Sequence, residues 1–322
     1  MKNIYVTDLR EGMSLFDENF AVKSFKKMMT KQEKPYFDIE ISDRTGNIRG
    51  KIWPDHLDKC AETKEGEVVS IDALVESYNG SLQLKILTLK VEANFIPDEY
   101  QPVSKKDRDQ MLSIITSSIN KIKNKHLKLL LENIFTSDFT KEFSEASASY
   151  RLHHAYKSGL LEHTSEMLVL SQAILNQYPK MNGDLLTAGI LLHDIGKILE
   201  YKTSTTITIS TEGKLLGHIF IGANYIKEKA PEGMPEDLLN EVIHLVLSHH
   251  GSLEFGSPVL PKTAEAIALS SIDDASAKIN SSYIAIHENG EEKEFTSYYR
   301  HLGTELYRSP YLDNLTNEDI PF

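Results

Sequence analysis

Hydrophobic and polar residues alternate along several short stretches near the start of the chain, which is the pattern of half-buried β-strands. In one of them Phe37, Ile39 and Ile41 share a face, and polar residues occupy the other. Asn79-Gly80 separates two such stretches and is a strong hairpin signal. The stretches are YFDIEI (36–41), IRGKIW (48–53), VVSIDALVESY (68–78) and LQLKILTLK (82–90). Several short strands joined by tight turns predict a small β-barrel.

The period changes to that of α-helices after a proline-containing break, PDEYQPVS, at residues 97–104. Helical patterns cover residues 107–135, 160–178, 183–201, 217–229, 235–248 and 261–279. In the third, one apolar stripe consists of Leu185, Ala188, Leu192, Ile195 and Leu199. The patterns predict a multidomain α and β chain with a barrel at 1–95, a linker with connecting helices at 96–150, and an all-α bundle with a C-terminal tail at 151–322.

Composition narrows the class of protein. The chain has 322 residues, of which 40% are hydrophobic and 25% charged, as in ordinary globular proteins. No stretch approaches the ~20 apolar residues of a membrane span, and the charged start lacks the apolar core of a secretory signal. Cys60 is the single cysteine, which excludes an internal disulfide framework and a thiolate zinc cluster. These features predict a cytoplasmic protein without a membrane partner, and they leave homo-oligomerisation open.

The charge distribution bears on nucleic-acid binding. The formal net charge is −12, yet residues 23–34 and 105–128 are rich in lysine. Such runs are more often solvated faces, but they also suit a polyanionic substrate. The strand order resembles an OB-fold, many of which bind single strands through a basic groove and stacked aromatic rings. The candidate contacts on this barrel are Lys23, Phe25, Lys26, Lys27, Tyr36 and Trp53. For Trp53, a place in the barrel core is an equal alternative.

Histidines and aspartates concentrate in the helical part of the chain. Nine of the twelve histidines lie between His153 and His287. Several stand near the apolar faces of separate helices, where buried charge must be paired or metal-bound. No matching set of arginines or lysines accompanies them. Imidazole and carboxylate without thiolate suit Mn, Fe, Mg or catalytic Zn. The residues that predict this metal site are His163, His193, Asp194, His218, His249, His250 and Asp273.

The ordered set His163, His193-Asp194, Asp273, together with HDIGK and SHHG, resembles the signature of the HD-domain metal-dependent phosphohydrolases. The stretch HHAYKSGLLEHTSEML (153–168) and the OB-like barrel are similar to the YhaM-type 3′→5′ exoribonucleases. The resemblance implies divalent ions, Mn²⁺ first with Fe²⁺, Co²⁺ and Mg²⁺ as alternatives. It also implies removal of nucleotides from the 3′ end of single-stranded RNA, with single-stranded DNA left open. One departure is Ser276, which stands where relatives tend to have a second acid.

The resemblance also implies roles for these residues in a two-metal site, where bound ions activate a water and clamp phosphate oxygens. One ion would be held by His163, His193, Asp194 and Asp273. Asp194 would bridge to a second ion on His218, His249 and His250, of which His250 is the least secure. Lys197 would neutralise charge on the phosphate, unless it is a snorkelling surface lysine. His153 and His154 would contact the scissile phosphate or transfer protons, or else cap the entry to the helix.

Two alternatives remain at this point. One is another HD phosphohydrolase that acts on nucleotides or cyclic dinucleotides and uses the barrel for regulation. The other is a non-catalytic RNA-binding protein with a decayed HD domain. The basic segments and the aromatic barrel face favour a nuclease over the first, because a mononucleotide hydrolase does not need them. The presence of every expected ligand disfavours the second.

Overall fold

The N-terminal strands close into a barrel in the computed structural model, which describes residues 2–78, 80–150, 154–203, 205–287 and 294–309. The strands are β1 (Ser14–Met29), β2 (Pro35–Asp43), β3 (Gly46–Ile52), β4 (Val68–Tyr78) and β5 (Ser81–Glu92). They are hydrogen-bonded in the order β1-β2-β3-β5-β4, and β1 pairs with β4 to close the ring. Only the β3–β5 pairing of this barrel is parallel. The predicted OB-like barrel is therefore confirmed.

The alternating pattern fixes the interior of the barrel. Ile39, Ile41 and Ile52 are fully buried, as their shared faces predict. Tyr78 pairs with Ser81 across the predicted hairpin turn, where Gly80 has a φ of +80°, a region that favours glycine. Asn79 lies outside the described residues. The strand β1 was not predicted, because register shifts after Leu15 and Val22 interrupt its two-residue period.

The rest of the described chain is mainly helical. The helices are α1 (Arg108–Lys121), α2 (Lys125–Ile134), α3 (Ser137–Glu145), α4 (Gly159–Gln177), α5 (Gly183–Leu192), α6 (Lys197–Glu200), α7 (Thr211–Lys229), α8 (Glu236–Ser248) and α9 (Ala264–His287). A short hairpin, β6 (Tyr201–Thr203) and β7 (Ile207–Ile209), separates α6 from α7. The prediction of one helix over 107–135 is wrong. Two helices meet there, because the Asn124 side chain accepts backbone N–H groups of His126 and Leu127 and so begins α2.

The predicted helix over 183–201 is also interrupted. It stops at Leu192, and Gly196 then packs against the backbone of α7, where a Cβ would lie 2.0 Å from the carbonyl oxygen of His218. The predicted apolar stripe therefore ends early, and Leu199 is 46% exposed. The predicted helix at 217–229 begins instead at Thr211, with a kink at Gly217. The last predicted helix extends to His287.

The barrel and the helices have separate apolar cores. α1, α2 and α3 contribute to the same core as α4, α5, α8 and α9, although they fall in the predicted connecting segment. Polar contacts join the two parts. Thr205 at the tip of the β6–β7 hairpin donates to the carbonyl of Gly66 at 2.5 Å, and the Tyr150 hydroxyl donates to Glu65 at 2.7 Å. Among the described helices, none is both long and apolar enough to cross a bilayer.

Candidate metal centre

Five helices bring the predicted metal-binding residues to one cleft. Ligand atoms of His163, His193 and Asp273 all lie within 4.8 Å of one another. The same holds for His218, His249 and His250. The residues come from α4 (His163), the end of α5 (His193, Asp194), α7 (His218), the end of α8 (His249, His250) and α9 (Asp273).

Asp194 lies between these two groups and directs one carboxylate oxygen to each. Its Oδ2 is 3.2 Å from Nε2 of His193 and 3.9 Å from Nε2 of His163. Its Oδ1 is 3.6 Å from Nε2 of His249 and 3.7 Å from Nε2 of His218. A single carboxylate in this position can bind two cations at once.

The helix ends orient the imidazole rings. His193 and His249 follow the last residues of α5 and α8, where backbone carbonyls lack intrahelical partners. Their Nδ1 atoms lie 2.8 Å from the Ile190 carbonyl and 2.7 Å from the Val246 carbonyl. A carbonyl only accepts, so each Nδ1 carries a proton, and in the neutral ring Nε2 presents a lone pair to the cleft. His250 makes the same kind of contact with a loop carbonyl at 2.8 Å.

Unpartnered atoms in the cleft fit a cation. Asp194 Oδ1, His218 Nε2 and His249 Nε2 are buried and have no hydrogen-bond partner among the described residues. Buried polar atoms are rarely left in that state. They face one another at distances beyond hydrogen bonding, as ligands around a common ion do. Nitrogen and oxygen donors without sulfur suit Mn²⁺, Fe²⁺ and related divalent ions.

Burial and charge set the protonation of the ligands. Burial lowers the pKa of His163 and of His249, which keeps both rings neutral and able to bind metal. Burial opposes ionisation of Asp194, but Lys197 and His193 outweigh it and hold the pKa of that carboxyl well below its usual range. Burial also lowers the pKa of His193, yet the Asp194 charge produces a net rise. A cation at His193 therefore competes with a proton.

Lys197 is a buried partner of Asp194 rather than a snorkelling surface lysine. Its side chain is 9% exposed, and Nζ is 2.6 Å from Asp194 Oδ2. The sequence predicts a position one turn after His193 on a continuous helix. Because the helix is interrupted there, the ammonium instead lies on the carboxylate between the two histidine groups. The Lys197 ammonium therefore balances the charge of the Asp194 carboxylate within the cleft.

His154 lies behind the cleft and not at its opening. Its side chain is fully buried, and Nε2 is 3.2 Å from Oε2 of Glu166. The ring centroid is 5.2 Å from that of His163. The predicted contact with the scissile phosphate does not fit this placement, because the side chain has no accessible surface. His153 lies outside the described residues.

The barrel presents an aromatic groove on its outer face. The rings of Tyr36 and Trp53 stack with centroids 5.3 Å apart, and Lys51 Nζ lies over Tyr36, Trp53 and Tyr78. Tyr36, Lys51 and Tyr78 line a groove of about 710 Å³. Trp53 therefore stacks on a residue that lines the groove and lies outside the barrel core, which does not fit the core alternative for this residue.

The other barrel residues predicted to contact nucleic acid lie on different surfaces of the barrel. Lys26 is exposed opposite Asp38, which also lines the groove. Phe25 differs from the prediction, because its ring stacks on Phe37 and packs against the barrel core. Lys27 pairs with Phe37 and so points to the other side of the sheet from Tyr36. Lys23 lines a different cavity, between the barrel and the helices.

Sequence reasoning missed Glu200 and Lys51. Glu200 Oε2 lies 2.9 Å from Nδ1 of His218, on the side of the ring away from Asp194. Nothing in the local pattern identifies this carboxylate, because the pairing depends on the packing of α6 against α7. Lys51 could have been found. In IRGKIW the buried positions Ile48 and Ile52 leave Lys51 and Trp53 on the outer face together.

Comparison with known proteins agrees with this geometry. Residues 160–278 match the HD domain family. The chain is 32% identical over 269 residues to the 3′-5′ exoribonuclease YhaM of Geobacillus sp. (strain WCH70). The aligned region covers 82% of each chain. It is 33% identical over 280 residues to the protein of the same name from Bacillus velezensis, covering 84% of this chain and 87% of that one. A solved OB-fold domain of replication protein A from Methanococcus maripaludis aligns with 30% of this chain and 99% of that one, at 18% identity and a TM-score of 0.23.

Proposed function

The chain belongs to the YhaM family of 3′-5′ exoribonucleases, and from this premise we propose that it shortens single-stranded RNA at a centre holding two divalent cations. It is a metal-dependent hydrolase with an HD domain. The single observation that supports the two-cation centre best is the position of Asp194. Oδ2 of Asp194 faces His193, and Oδ1 faces His218 and His249. Oδ1 has no hydrogen-bond partner among the described residues.

The ligands divide into two sets around this carboxylate. His163, His193 and Asp273 would hold one cation, and His218, His249 and His250 the other. In such centres the bound ions generate a water nucleophile at neutral pH and neutralise charge on the phosphate. The chain's own residues prepare the site: carbonyl contacts direct Nε2 of His193 and His249 inward, and a carboxylate oxygen of Glu200 lies 2.9 Å from Nδ1 of His218.

Lys197 would supply a further positive charge to the substrate. In the structure its ammonium neutralises Asp194 at 2.6 Å. Cations on both sides of Asp194 would compete for that carboxylate and free Nζ to contact a phosphate oxygen. The cleft contributes two carboxylates, Asp194 and Asp273, and the Lys197 ammonium. Two divalent cations would exceed the carboxylate charge, so the loaded cleft would be positive and would attract the phosphodiester.

The barrel groove would hold the RNA upstream of the cleaved end. Tyr36 and Trp53 offer a stacked aromatic surface, and Lys51 a cation above it. Stacking tolerates any base, which suits an enzyme that degrades RNA of varied sequence. This local positive and aromatic surface answers the objection that a net charge of −12 disfavours nucleic acid. Mn²⁺ is the proposed ion, because the site offers nitrogen and oxygen donors. The proposed location is the cytoplasm, because a chain with a single cysteine has no internal disulfide bond that would need an oxidising compartment.

The test is digestion of a single-stranded RNA carrying a 5′ label, with Mn²⁺, with chelator, and with Asp194→Asn. Asparagine keeps the shape of the side chain and removes the bridging charge. The expected result is a ladder that shortens from the 3′ end, requires Mn²⁺ and is lost in the variant. The same RNA blocked by a 3′ phosphate serves as a control for attack at the end.

Other outcomes would overturn the proposal. Hydrolysis of free nucleotides or cyclic dinucleotides without loss of RNA would favour the other HD phosphohydrolases. Retention of RNA binding without any cleavage would favour a non-catalytic protein. Full activity of Asp194→Asn would show that this cleft is not the catalytic site.

A further inference from the structure

A serine hydroxyl bridges α9 and α4 behind one of the proposed cation ligands. Ser276 is buried on α9, one turn after Asp273. Its Oγ lies 3.0 Å from Nδ1 of His163 and 3.0 Å from Oε2 of Glu166. His163 and Glu166 are also one turn apart, on α4. Asp273 and Ser276 on α9 therefore face His163 and Glu166 on α4, and the Ser276 hydroxyl contacts both of these α4 residues.

This contact is unlike those of other serines on α9. The hydroxyls of Ser271 and Ser282 donate to the carbonyls of Ile267 and Lys278, four residues earlier in the same helix. That is the usual contact for a serine within a helix. The Ser276 hydroxyl instead contacts two side chains of another helix. The requirement to satisfy the hydroxyl locally does not explain this choice.

The direction of the hydrogen bonds can be derived. Burial opposes ionisation of Glu166, but His154 and Lys106 lower its pKa to about 2, so it is a carboxylate that only accepts. Ser276 therefore donates its one proton to Glu166. Its oxygen must then accept from Nδ1–H of His163. Nε2 of His163 lies 3.1 Å from Asp273 Oδ1, a carboxylate that also only accepts, so this contact favours the opposite tautomer, Nε2–H, in the metal-free chain. A cation bound by Asp273 and Nε2 would remove that competition and leave Nδ1–H toward Ser276.

We propose that Ser276 and Glu166 are positioning residues, in which the serine hydroxyl relays the Glu166 carboxylate to His163 and fixes the tautomer that binds a cation. The proposal rests on the cation centre described above. Metal-binding histidines commonly donate their second nitrogen to a carboxylate. Here a hydroxyl is inserted between the two groups. Lys106, which precedes α1, holds the other Glu166 oxygen at 2.7 Å and anchors the relay from outside α4.

The first test needs no metal. Imidazole ¹⁵N chemical shifts of the metal-free full chain report which nitrogen of His163 carries the proton, and a His163→Gln variant assigns the signals. Because Asp273 favours Nε2–H in the metal-free chain, the wild type is expected to show a larger fraction of the Nδ1–H tautomer than Ser276→Ala. A wild-type Nδ1–H fraction no larger than that of Ser276→Ala would overturn the relay.

The second test is titration of the metal-free chain with Mn²⁺, followed by the EPR signal of the free ion. Ser276→Ala is expected to bind Mn²⁺ about 10- to 100-fold more weakly, as loss of an outer partner typically does. Glu166→Gln should weaken binding as well, and the double variant should be no weaker than Ser276→Ala to within about twofold, because both act through one path. Ser282→Ala is the matched control and should bind like the wild type.

The outcomes separate the relay from the cation centre. Mn²⁺ binding by Ser276→Ala that equals the wild type would overturn the relay while leaving the centre intact. Losses that multiply in the double variant would also overturn it, since independent structural damage behaves in that way. Urea unfolding of each metal-free variant shows whether the fold is retained. A wild-type chain that binds no Mn²⁺ would overturn the cation centre, and the tautomer measurement would still decide the relay.

Discussion

At the scale of single residues, the candidate centre depends on which atom each side chain presents. Asp194 offers one oxygen to each histidine group, and His193 and His249 present Nε2 because helix-end carbonyls accept their Nδ1 protons. The residue types and their order along the chain predict the ligand set. They do not predict Glu200, whose role arises only from the packing of α6 on α7.

Asp273 and Asp274 form a matched pair of neighbouring carboxylates. Asp273 lies 3.1 Å from His163, whereas Asp274 is exposed and pairs with Lys278. We expect Asp273→Asn to weaken Mn²⁺ binding by more than about 100-fold, beyond the loss seen for outer partners, and to abolish RNA cleavage. Asp274→Asn should match the wild type in both assays, because it removes only an exposed ion pair. Equal effects of the two changes in calorimetric Mn²⁺ titration would argue against Asp273 as a ligand.

Lys197→Met should separate metal binding from catalysis. Removing the ammonium takes away the closest positive charge of Asp194 in the metal-free chain, so the unfolding free energy should fall by about 3 kcal/mol. Mn²⁺ should then bind as tightly as in the wild type or tighter, because no internal cation competes for Asp194. The rate of RNA cleavage at saturating Mn²⁺ should fall by about 100-fold, as on loss of one charge-stabilising group. Weaker Mn²⁺ binding in this variant would contradict the proposed role.

At the scale of elements, interruptions in the helices place the ligands. α5 ends at Leu192, and α7 kinks at Gly217 just before His218. The apolar period predicts that helices exist in these regions, but it continues through the break after Leu192. The break depends on the close approach of Gly196 to α7, a tertiary contact that a local pattern does not contain. A cap residue such as Asn124 is a local signal, and it could have divided the helix predicted at 107–135.

Gly196→Ala tests the close approach of α6 and α7. The added Cβ would lie 2.0 Å from the His218 carbonyl oxygen and 2.8 Å from the Gly222 nitrogen, so the backbones must separate. We expect a loss of about 3 kcal/mol or more in unfolding free energy and weaker Mn²⁺ binding, because His218 moves with α7.

Gly183→Ala is the control for this change. It adds the same methyl group at the start of α5, where the nearest atoms are 3.5 Å away. It should leave urea unfolding within about 0.5 kcal/mol of the wild type. A Gly196→Ala chain of wild-type stability and metal affinity would contradict the tight crossing.

At the scale of the whole molecule, a barrel and a helical bundle with separate cores present two surfaces of different chemistry. Period and turn signals predict the barrel and its hairpins. The contribution of β1 and the parallel β3–β5 pairing were not predictable, since bulges disrupt the first and the second joins distant segments. How the barrel lies against the helices depends on contacts such as that of Thr205 with Gly66, which no motif encodes.

Removing the aromatic rings of the barrel groove should affect long substrates only. In Tyr36→Ala combined with Trp53→Ala, the dissociation constant for a long single-stranded RNA should rise by at least about tenfold, given the usual energy of base stacking. Cleavage of a dinucleotide, which reaches only the metal cleft, should be unchanged. Phe16→Ala removes another exposed aromatic ring of the barrel, away from the groove, and should bind RNA like the wild type. Fluorescence anisotropy with chelator present measures binding without cleavage, and unchanged affinity of the double variant would contradict this surface.

The two-cation centre itself can be observed by anomalous diffraction at the manganese edge from crystals soaked in Mn²⁺. We predict two peaks on either side of Asp194, about 3.5–4 Å apart as in other two-metal sites. One should contact His163, His193 and Asp273, and the other His218, His249 and His250. No peak in the cleft, or peaks that do not touch Asp194, would contradict the mechanism.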